Sequence, residues 1–184
     1  MKDIYFTPGP SELFFTAEEH IKNGFKKNIF SISHRSSLFK SIYKECTERI
    51  KNFLNIPKDY HIAFLSSANE AWERIIQNLI LEDSGHLING SFSEKFYDFA
   101  KLNKINARNY IFNNEKYDID KILDSHELLA VTLNETSTGI MCDSNTISKI
   151  RNNFKSIIAL DAVSGIPSIP FHIEDVDKIG RAHV

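Results

Sequence analysis

The chain has 184 residues, of which 42% are hydrophobic and 25% charged, so it can bury one sizeable core but has little length for two domains. Lysine and arginine number 22 against 24 aspartate and glutamate, which gives a formal net charge of -2. This balance excludes a basic surface for nucleic acid and a polybasic patch for membranes. Small metabolites are therefore the expected partners.

Cysteine usage and the apolar runs limit the class of protein further. Cys46 and Cys142 have no paired spacing, so the sequence predicts neither a disulfide framework nor a thiolate zinc site, and no metal is expected. The first residues contain no signal-peptide apolar region, and no apolar stretch approaches the ~20 residues that cross a bilayer. We expect a soluble, cytoplasmic protein.

The first third of the chain is predicted to hold an arm and two helices. Residues 1–15 contain a Pro-Gly-Pro run that does not fit a regular helix, so we expect an extended arm. A short helix is predicted from Thr16, a plausible N-cap. A longer helix is predicted from Ser36 until Pro57 stops it, because apolar residues recur there at helical spacing.

Strand and helix patterns alternate along the rest of the chain. Strands are predicted at 61–65, 86–88, 107–112 and 128–133, with a last strand ending at Asp161, and helices at 70–80, 93–102, 119–123 and 145–154. This alternation predicts an α/β protein with a mostly parallel sheet that is covered by helices on both faces.

Two predicted strand ends carry polar residues, and strand ends are where open α/β sheets bind ligands. One strand runs into the NETSTG loop, where the hydroxyl of Thr136 can bind a phenolic oxygen, although a plain turn explains Gly139 equally well. The other runs into Asp161, whose carboxylate can keep a ring nitrogen protonated. A turn aspartate that caps the next segment is the equal alternative.

Three further segments are candidate ligand contacts, each with an ordinary alternative. The turn at 66–69 brings small residues to a helix start, where free N–H groups bind phosphate, but it also fits a simple N-cap. Phe92 can stack on a flat heterocycle, although a core phenylalanine is more usual. His34 and Arg35 form either an anion clamp or a solvated loop. No GxGxxG motif supports a dinucleotide site.

The order of these motifs resembles the class V aminotransferases, which are fold type I enzymes that use pyridoxal 5'-phosphate. The likeness is greatest to the phosphoserine aminotransferase branch. The matching segments are YFTPGPSEL, SHRSSLF, SSANEAWERIIQNL, NGSF, NETSTG and LDAVSGIPSIP, which together span nearly all of the chain before its last six residues. Under this resemblance, residues 16–178 are a truncated fold type I large domain that binds the cofactor.

The resemblance implies roles for nine residues. Those implied to bind the cofactor are Ala68 and Asn69 with the adjoining Ser67 at the phosphate, Phe92 and Val163 on the two ring faces, Thr136 at the ring hydroxyl and Asp161 at the ring nitrogen. His34 and Arg35 are implied to hold the acidic groups of the substrate. Two positions depart from the usual pattern, since Asn69 stands where Ser or Thr is common and Phe92 where this branch typically has Trp.

The family's Schiff-base lysine is absent from the sequence, because its motif follows the segment corresponding to 175–177 and no lysine present has that context. Residues 179–184 break the Lys-, Asn- and Ile-rich style of the chain and read like a translated sequencing adapter. We therefore expect the natural chain to continue past Lys178, residues 179–184 to be a non-native tail, and the 184-residue fragment to be inactive.

The implied reaction is transamination between an amino acid and a 2-oxo acid, with phosphoserine and 2-oxoglutarate as the expected pair and a homodimer as the expected assembly. An alanine–glyoxylate or serine–pyruvate aminotransferase shares the same cofactor contacts and stays open. A non-catalytic α/β binding module is the alternative from another class. The gene sequence beyond Lys178 distinguishes an enzyme from such a module.

Overall fold

The computed structural model describes residues 12–111, 122 and 126–180. These form two compact units, and the boundary between them falls between Ile62 and Ala63. No helix in the described ranges is both long and apolar enough to span a membrane.

The first unit is helical. The predicted helices are confirmed as α1 (Ala17–Lys26) and α2 (Ser37–Leu54). The Ser36 hydroxyl accepts a hydrogen bond from the Phe39 N–H at 3.1 Å and so caps α2. The Thr16 side chain makes no such bond to α1, so the prediction that Thr16 caps this helix is wrong. None of the described side chains in this unit is buried.

The second unit contains a parallel sheet of five strands in its described part. The strands are β1 (Asp83–Ile88), β2 (Asn106–Ile111), β3 (Leu128–Thr132), β4 (Ile157–Asp161) and β5 (Lys178–Gly180). Their order is β2-β1-β3-β4-β5, and every neighbouring pair is parallel. The predicted α/β class is confirmed.

Helices cover both faces of this sheet because alternate residues of its buried strands point to opposite sides. The helices of this unit are α3 (Ala68–Leu79), α4 (Ser91–Leu102) and α5 (Ser144–Asn153). On β3, Leu128 and Ala130 pack in a core cluster with side chains of α3 and α4. Leu129 and Val131 pack in a second cluster with side chains of α5.

The structure corrects one predicted strand and adds another. Residues 61–65 form no strand, and most of their side chains are exposed, because the segment pairs with no strand in the described residues. β5 was not predicted, since three residues are too short to show a period, and it pairs with β4 through Ala159 and Lys178. The predicted helix at 119–123 lies outside the described residues, apart from residue 122. So do residues 181–184.

Candidate functional site

A pocket of about 110 Å³ opens at the carboxyl ends of β3 and β4. Its walls come from the start of α3, the start of α4 and the loops that follow β3 and β4. The lining residues are Ala68, Asn69, Trp72, Phe92, Thr132, Asn134, Thr136, Asp161, Val163 and Ser164. The strand order reverses beside β1, and a crevice at such a switch point is the usual ligand site of an open parallel sheet.

Asp161 supplies the buried acid of this pocket. It is the last residue of β4, it is only 6% exposed, and its Oδ1 accepts a hydrogen bond from the Val163 N–H at 3.0 Å. Burial raises the pKa of Asp161 to about 6, the Val163 N–H opposes this rise, and the negative charge of Glu135 adds to it. The negative charge of an ionised Asp161 is therefore only partly compensated by the Val163 N–H, and a bound cation can compensate the rest.

The start of α3 forms another wall of the pocket, one that favours a negatively charged group. The Ser67 hydroxyl accepts a hydrogen bond from the Glu70 N–H at 3.2 Å, so this side chain is the N-cap of the helix. The Glu70 carboxylate accepts the Ser66 N–H at 2.9 Å and the Ser66 hydroxyl at 2.7 Å, which lowers the pKa of Glu70. Ala68 and Asn69 thus line the pocket at a helix N-terminus, where the dipole favours an anion.

A hydroxyl cluster joins the loops that follow β3 and β4. The Thr136 hydroxyl donates to Ser164 Oγ at 2.9 Å, and the Ser164 hydroxyl donates to the Asn134 carbonyl at 2.7 Å. The Asn134 side-chain amide also donates to Ser164 Oγ, at 3.2 Å. Thr136 Oγ keeps lone pairs that can accept from a ligand hydroxyl. Ser164 was not predicted, because only the fold brings its loop to Thr136.

Two aromatic residues complete the pocket. Phe92 lies in the first turn of α4 and is 45% exposed, so the alternative of a core phenylalanine is wrong for it. Trp72 is buried and stacks on Phe96 with the ring centroids 5.3 Å apart. Trp72 was not predicted as a site residue, although it lies four positions after Ala68 and hence on the same face of α3.

Glu135 lies behind the pocket wall and is fully buried. Its carboxylate accepts hydrogen bonds from the N–H groups of Phe92, Ser93 and Ser137 at 3.0 to 3.3 Å and from the Ser137 hydroxyl at 2.8 Å. Burial alone would raise the pKa of Glu135, but these hydrogen bonds outweigh it and hold the pKa below its usual value. Glu135 is therefore ionised at neutral pH.

Two predicted site residues belong to the first unit. His34 and Arg35 lie in the segment before α2, and both are exposed. The Arg35 N–H donates to Ser33 Oγ at 3.2 Å, which orders the turn that leads into the helix. Their implied contact with a substrate stays a prediction.

Comparisons with known proteins agree with this geometry. Residues 7–179 match the family model described as "Aminotransferase class-V". A phosphoserine aminotransferase of Corynebacterium glutamicum is 29% identical over 178 residues, which are 95% of this chain and 46% of that protein. One from Bacillus cereus is 31% identical over 157 residues, which are 76% of this chain and 43% of that protein.

Solved structures show the same likeness. A phosphoserine aminotransferase from Cytophaga hutchinsonii superposes with a TM-score of 0.88 at 39% identity, over 96% of this chain and 50% of that one. An aspartate aminotransferase from Thermus thermophilus shares the fold with a TM-score of 0.79 at 19% identity, over 96% of this chain and 51% of that one. The chain spans about half the length of the curated relatives it matches.

The chain therefore belongs to the class V aminotransferases. The cofactor of this family is pyridoxal 5'-phosphate, and the fold is the large domain of the fold type I enzymes. Six of the residues implied to bind that cofactor line the pocket together, namely Ala68, Asn69, Phe92, Thr136, Asp161 and Val163.

Proposed function

We propose that this chain is the amino-terminal part of a homodimeric phosphoserine aminotransferase that transfers the amino group of phosphoserine to 2-oxoglutarate. The observation that carries the proposal is a pocket combining a buried carboxylate at the end of β4 with the N-terminus of α3. Such a pocket suits a ligand with a phosphate at one end and a protonated ring nitrogen at the other.

The residues present fit pyridoxal phosphate. Burial of Asp161 raises the cost of its charge, and a protonated ring nitrogen would compensate that charge. The N–H groups at Ala68 and Asn69 would hold the phosphate, while Thr136 would accept from the ring hydroxyl. Phe92 and Val163 would exclude water from the two faces of the ring. When bound, the cofactor supplies an electron sink for the bond broken at the substrate α-carbon.

The choice of phosphoserine rests on two supports. Relatives named phosphoserine aminotransferase match 76% to 97% of this chain. His34 and Arg35 are exposed near the start of α2, where a guanidinium can make bidentate contact with a phosphate or a carboxylate. Because both side chains are exposed, neither is committed to packing within the first unit.

The Schiff-base lysine is proposed to lie beyond this sequence, in a natural chain that continues past Lys178. On this proposal residues 1–15 are an arm, residues 16–178 are part of the large domain, and residues 179–184 are foreign to the protein. The 184-residue chain would then be inactive even when it holds the cofactor. Borohydride reduction of the cofactor-loaded chain tests this, since turnover together with one stoichiometrically labelled lysine would contradict it.

The function is tested in the full-length protein with pyridoxal phosphate bound. Half-reactions are followed by cofactor absorbance with phosphoserine and, separately, with alanine, and the second half with 2-oxoglutarate or glyoxylate. We expect phosphoserine and 2-oxoglutarate to react. A protein that uses alanine and glyoxylate and ignores phosphoserine would overturn the substrate while keeping the class, and a protein that binds no cofactor would overturn the proposal as a whole.

A further inference from the structure

Glu135 makes a connection between two walls of the pocket that the family's reaction does not explain. It sits between Asn134 and Thr136, which both line the pocket, yet its own side chain points away from the solvent and is fully buried. There the carboxylate meets the first turn of α4. It accepts the N–H of Phe92 at 3.1 Å and the N–H of Ser93 at 3.0 Å.

These two contacts make Glu135 the anionic cap of α4. The residue before that helix is Gly90, which has no side chain to serve as an N-cap. The carboxylate instead takes up two N–H groups that the first turn leaves unpaired, and a negative charge at this end also matches the helix dipole. The cap therefore comes from a loop that is distant in sequence and follows a different strand.

The backbone at Gly90 packs closely against the side chains of Glu135 and Ser137. A Cβ placed on Gly90 would lie 2.4 Å from Glu135 Cγ and 2.5 Å from Ser137 Oγ. The same Ser137 hydroxyl accepts the Ser91 N–H at 2.9 Å and donates to Glu135 at 2.8 Å. The backbone before α4 and the loop after β3 are thus in direct contact through a connected set of hydrogen bonds.

We propose that Glu135 is a positioning residue for the cofactor pocket: its buried carboxylate locks the start of α4 to the loop after β3, so that Phe92 and Thr136 face the same ligand. The inference rests on the proposed function, because it takes pyridoxal phosphate as that ligand. Glu135 touches no reacting atom in this arrangement. It acts through the N–H of Phe92 and through its neighbour in sequence, Thr136.

The charge of Glu135 has a second effect, on Asp161. Its negative charge adds to the rise in the pKa of Asp161, and no other residue that lines the pocket titrates near neutral pH. Ionised Asp161 would favour a protonated ring nitrogen, so cofactor binding should weaken as the pH falls through about 6. Loss of the Glu135 charge should move this fall in cofactor affinity, the low-pH limb of the binding profile, to lower pH.

The test compares Glu135→Gln with Glu127→Gln in the full-length protein. Glu127 is a matched control, because its carboxylate also accepts three backbone N–H groups, those of residues 81 to 83, but it precedes β3 and so lies at the amino ends of the strands, away from the pocket at their carboxyl ends. In Glu135→Gln the side-chain NH₂ must face an N–H donor. Pyridoxal phosphate affinity is measured by fluorescence titration from pH 5 to 8, and folding by far-UV circular dichroism.

We expect Glu135→Gln to bind the cofactor about tenfold more weakly, since hydrogen bonds to a charged group are lost, and Glu127→Gln to bind it unchanged. The low-pH limb should shift only in Glu135→Gln. In a Phe92→Ala background the effect of Glu135→Gln on affinity should shrink, because the ring that the Glu135 carboxylate positions is gone and only the part of the effect that passes through Thr136 remains. If Glu135→Gln does not fold, Ser137→Ala, which removes one donor to the same carboxylate, takes its place.

The outcomes separate the two proposals. A wild-type protein that binds no pyridoxal phosphate overturns both. A wild-type protein that binds it, with Glu135→Gln equally tight and its pH limb unmoved, overturns only the role of Glu135. An equal loss in the presence and absence of the Phe92 ring shows a general fold defect and also overturns it.

Discussion

Replacing Asp161 with asparagine should stabilise the cofactor-free protein while it impairs catalysis. The change keeps the shape of the side chain, and the asparagine oxygen can still accept the Val163 N–H that Asp161 accepts at 3.0 Å. The substitution removes only the ability of the side chain to ionise. Because Asp161 is 6% exposed, that charge is costly whenever the pocket holds no cation.

The magnitude follows from the pKa of Asp161, which burial raises from 3.8 to about 6. The folded state therefore holds its proton more tightly than the unfolded state, and the stability tied to this proton is lost as the pH rises from about 4 to about 6. A shift of this size corresponds to about 3 kcal/mol as an upper bound. The asparagine side chain does not titrate, so the variant avoids this loss.

The assay is urea unfolding of both proteins, without cofactor, at a series of pH values from 4 to 8. We expect equal free energies of unfolding near pH 4, a growing advantage for Asp161→Asn up to about pH 6, and a constant advantage above that. Asp143→Asn is the control of opposite sign: hydrogen bonds from Thr146 lower the pKa of Asp143, so its charge already stabilises the fold at pH 4 and above, and this variant should be less stable than wild type by a nearly constant amount across the series. A difference between Asp161→Asn and wild type that does not vary with pH would refute the reasoning.

The same variant should still bind pyridoxal phosphate but should react more slowly with the amino donor. Without the carboxylate, the ring nitrogen loses the charge that favours its protonated form, so the electron sink is weaker. Half-reaction rates measured by cofactor absorbance check this. Unchanged rates would mean that Asp161 is not the partner of the ring nitrogen.

Three further variants test the remaining interactions. Arg35→Lys should lose about 1 to 3 kcal/mol of affinity for phosphoserine in titrations and should keep its affinity for the cofactor, because an ammonium cannot make a bidentate contact. Arg49→Lys, at an exposed arginine of α2, is the control and should change neither affinity. Gly90→Ala should cost about 1 to 3 kcal/mol in urea unfolding, because its Cβ would lie 2.4 Å from Glu135 Cγ, and an unchanged midpoint would contradict the packing. Ser67→Ala should lower the free energy of unfolding by about 1 kcal/mol through loss of the α3 cap and should weaken cofactor binding. A variant that is destabilised but binds the cofactor with wild-type affinity would show that Ser67 caps the helix without contributing to the phosphate site.

The sequence by itself determined the local elements and their order. Apolar periodicity predicted a helix from Ser36 to Pro57, and the structure has α2 from Ser37 to Leu54. Buried runs predicted β3 and β4, and polar residues that follow them line a pocket at the carboxyl ends of these strands. Such features depend on residues within one or two turns of each other, so their physics is already present in a short segment.

Only the tertiary structure decided which segments meet. The run at 61–65 has strand composition but forms no strand, because a strand requires a neighbour to pair with its backbone. Ser164 reaches Thr136, and Glu135 caps α4, because the sheet brings distant loops to one edge. The pKa of Asp161 is likewise a property of the fold, since desolvation arises from every atom packed around the carboxyl group and not from its neighbours in sequence.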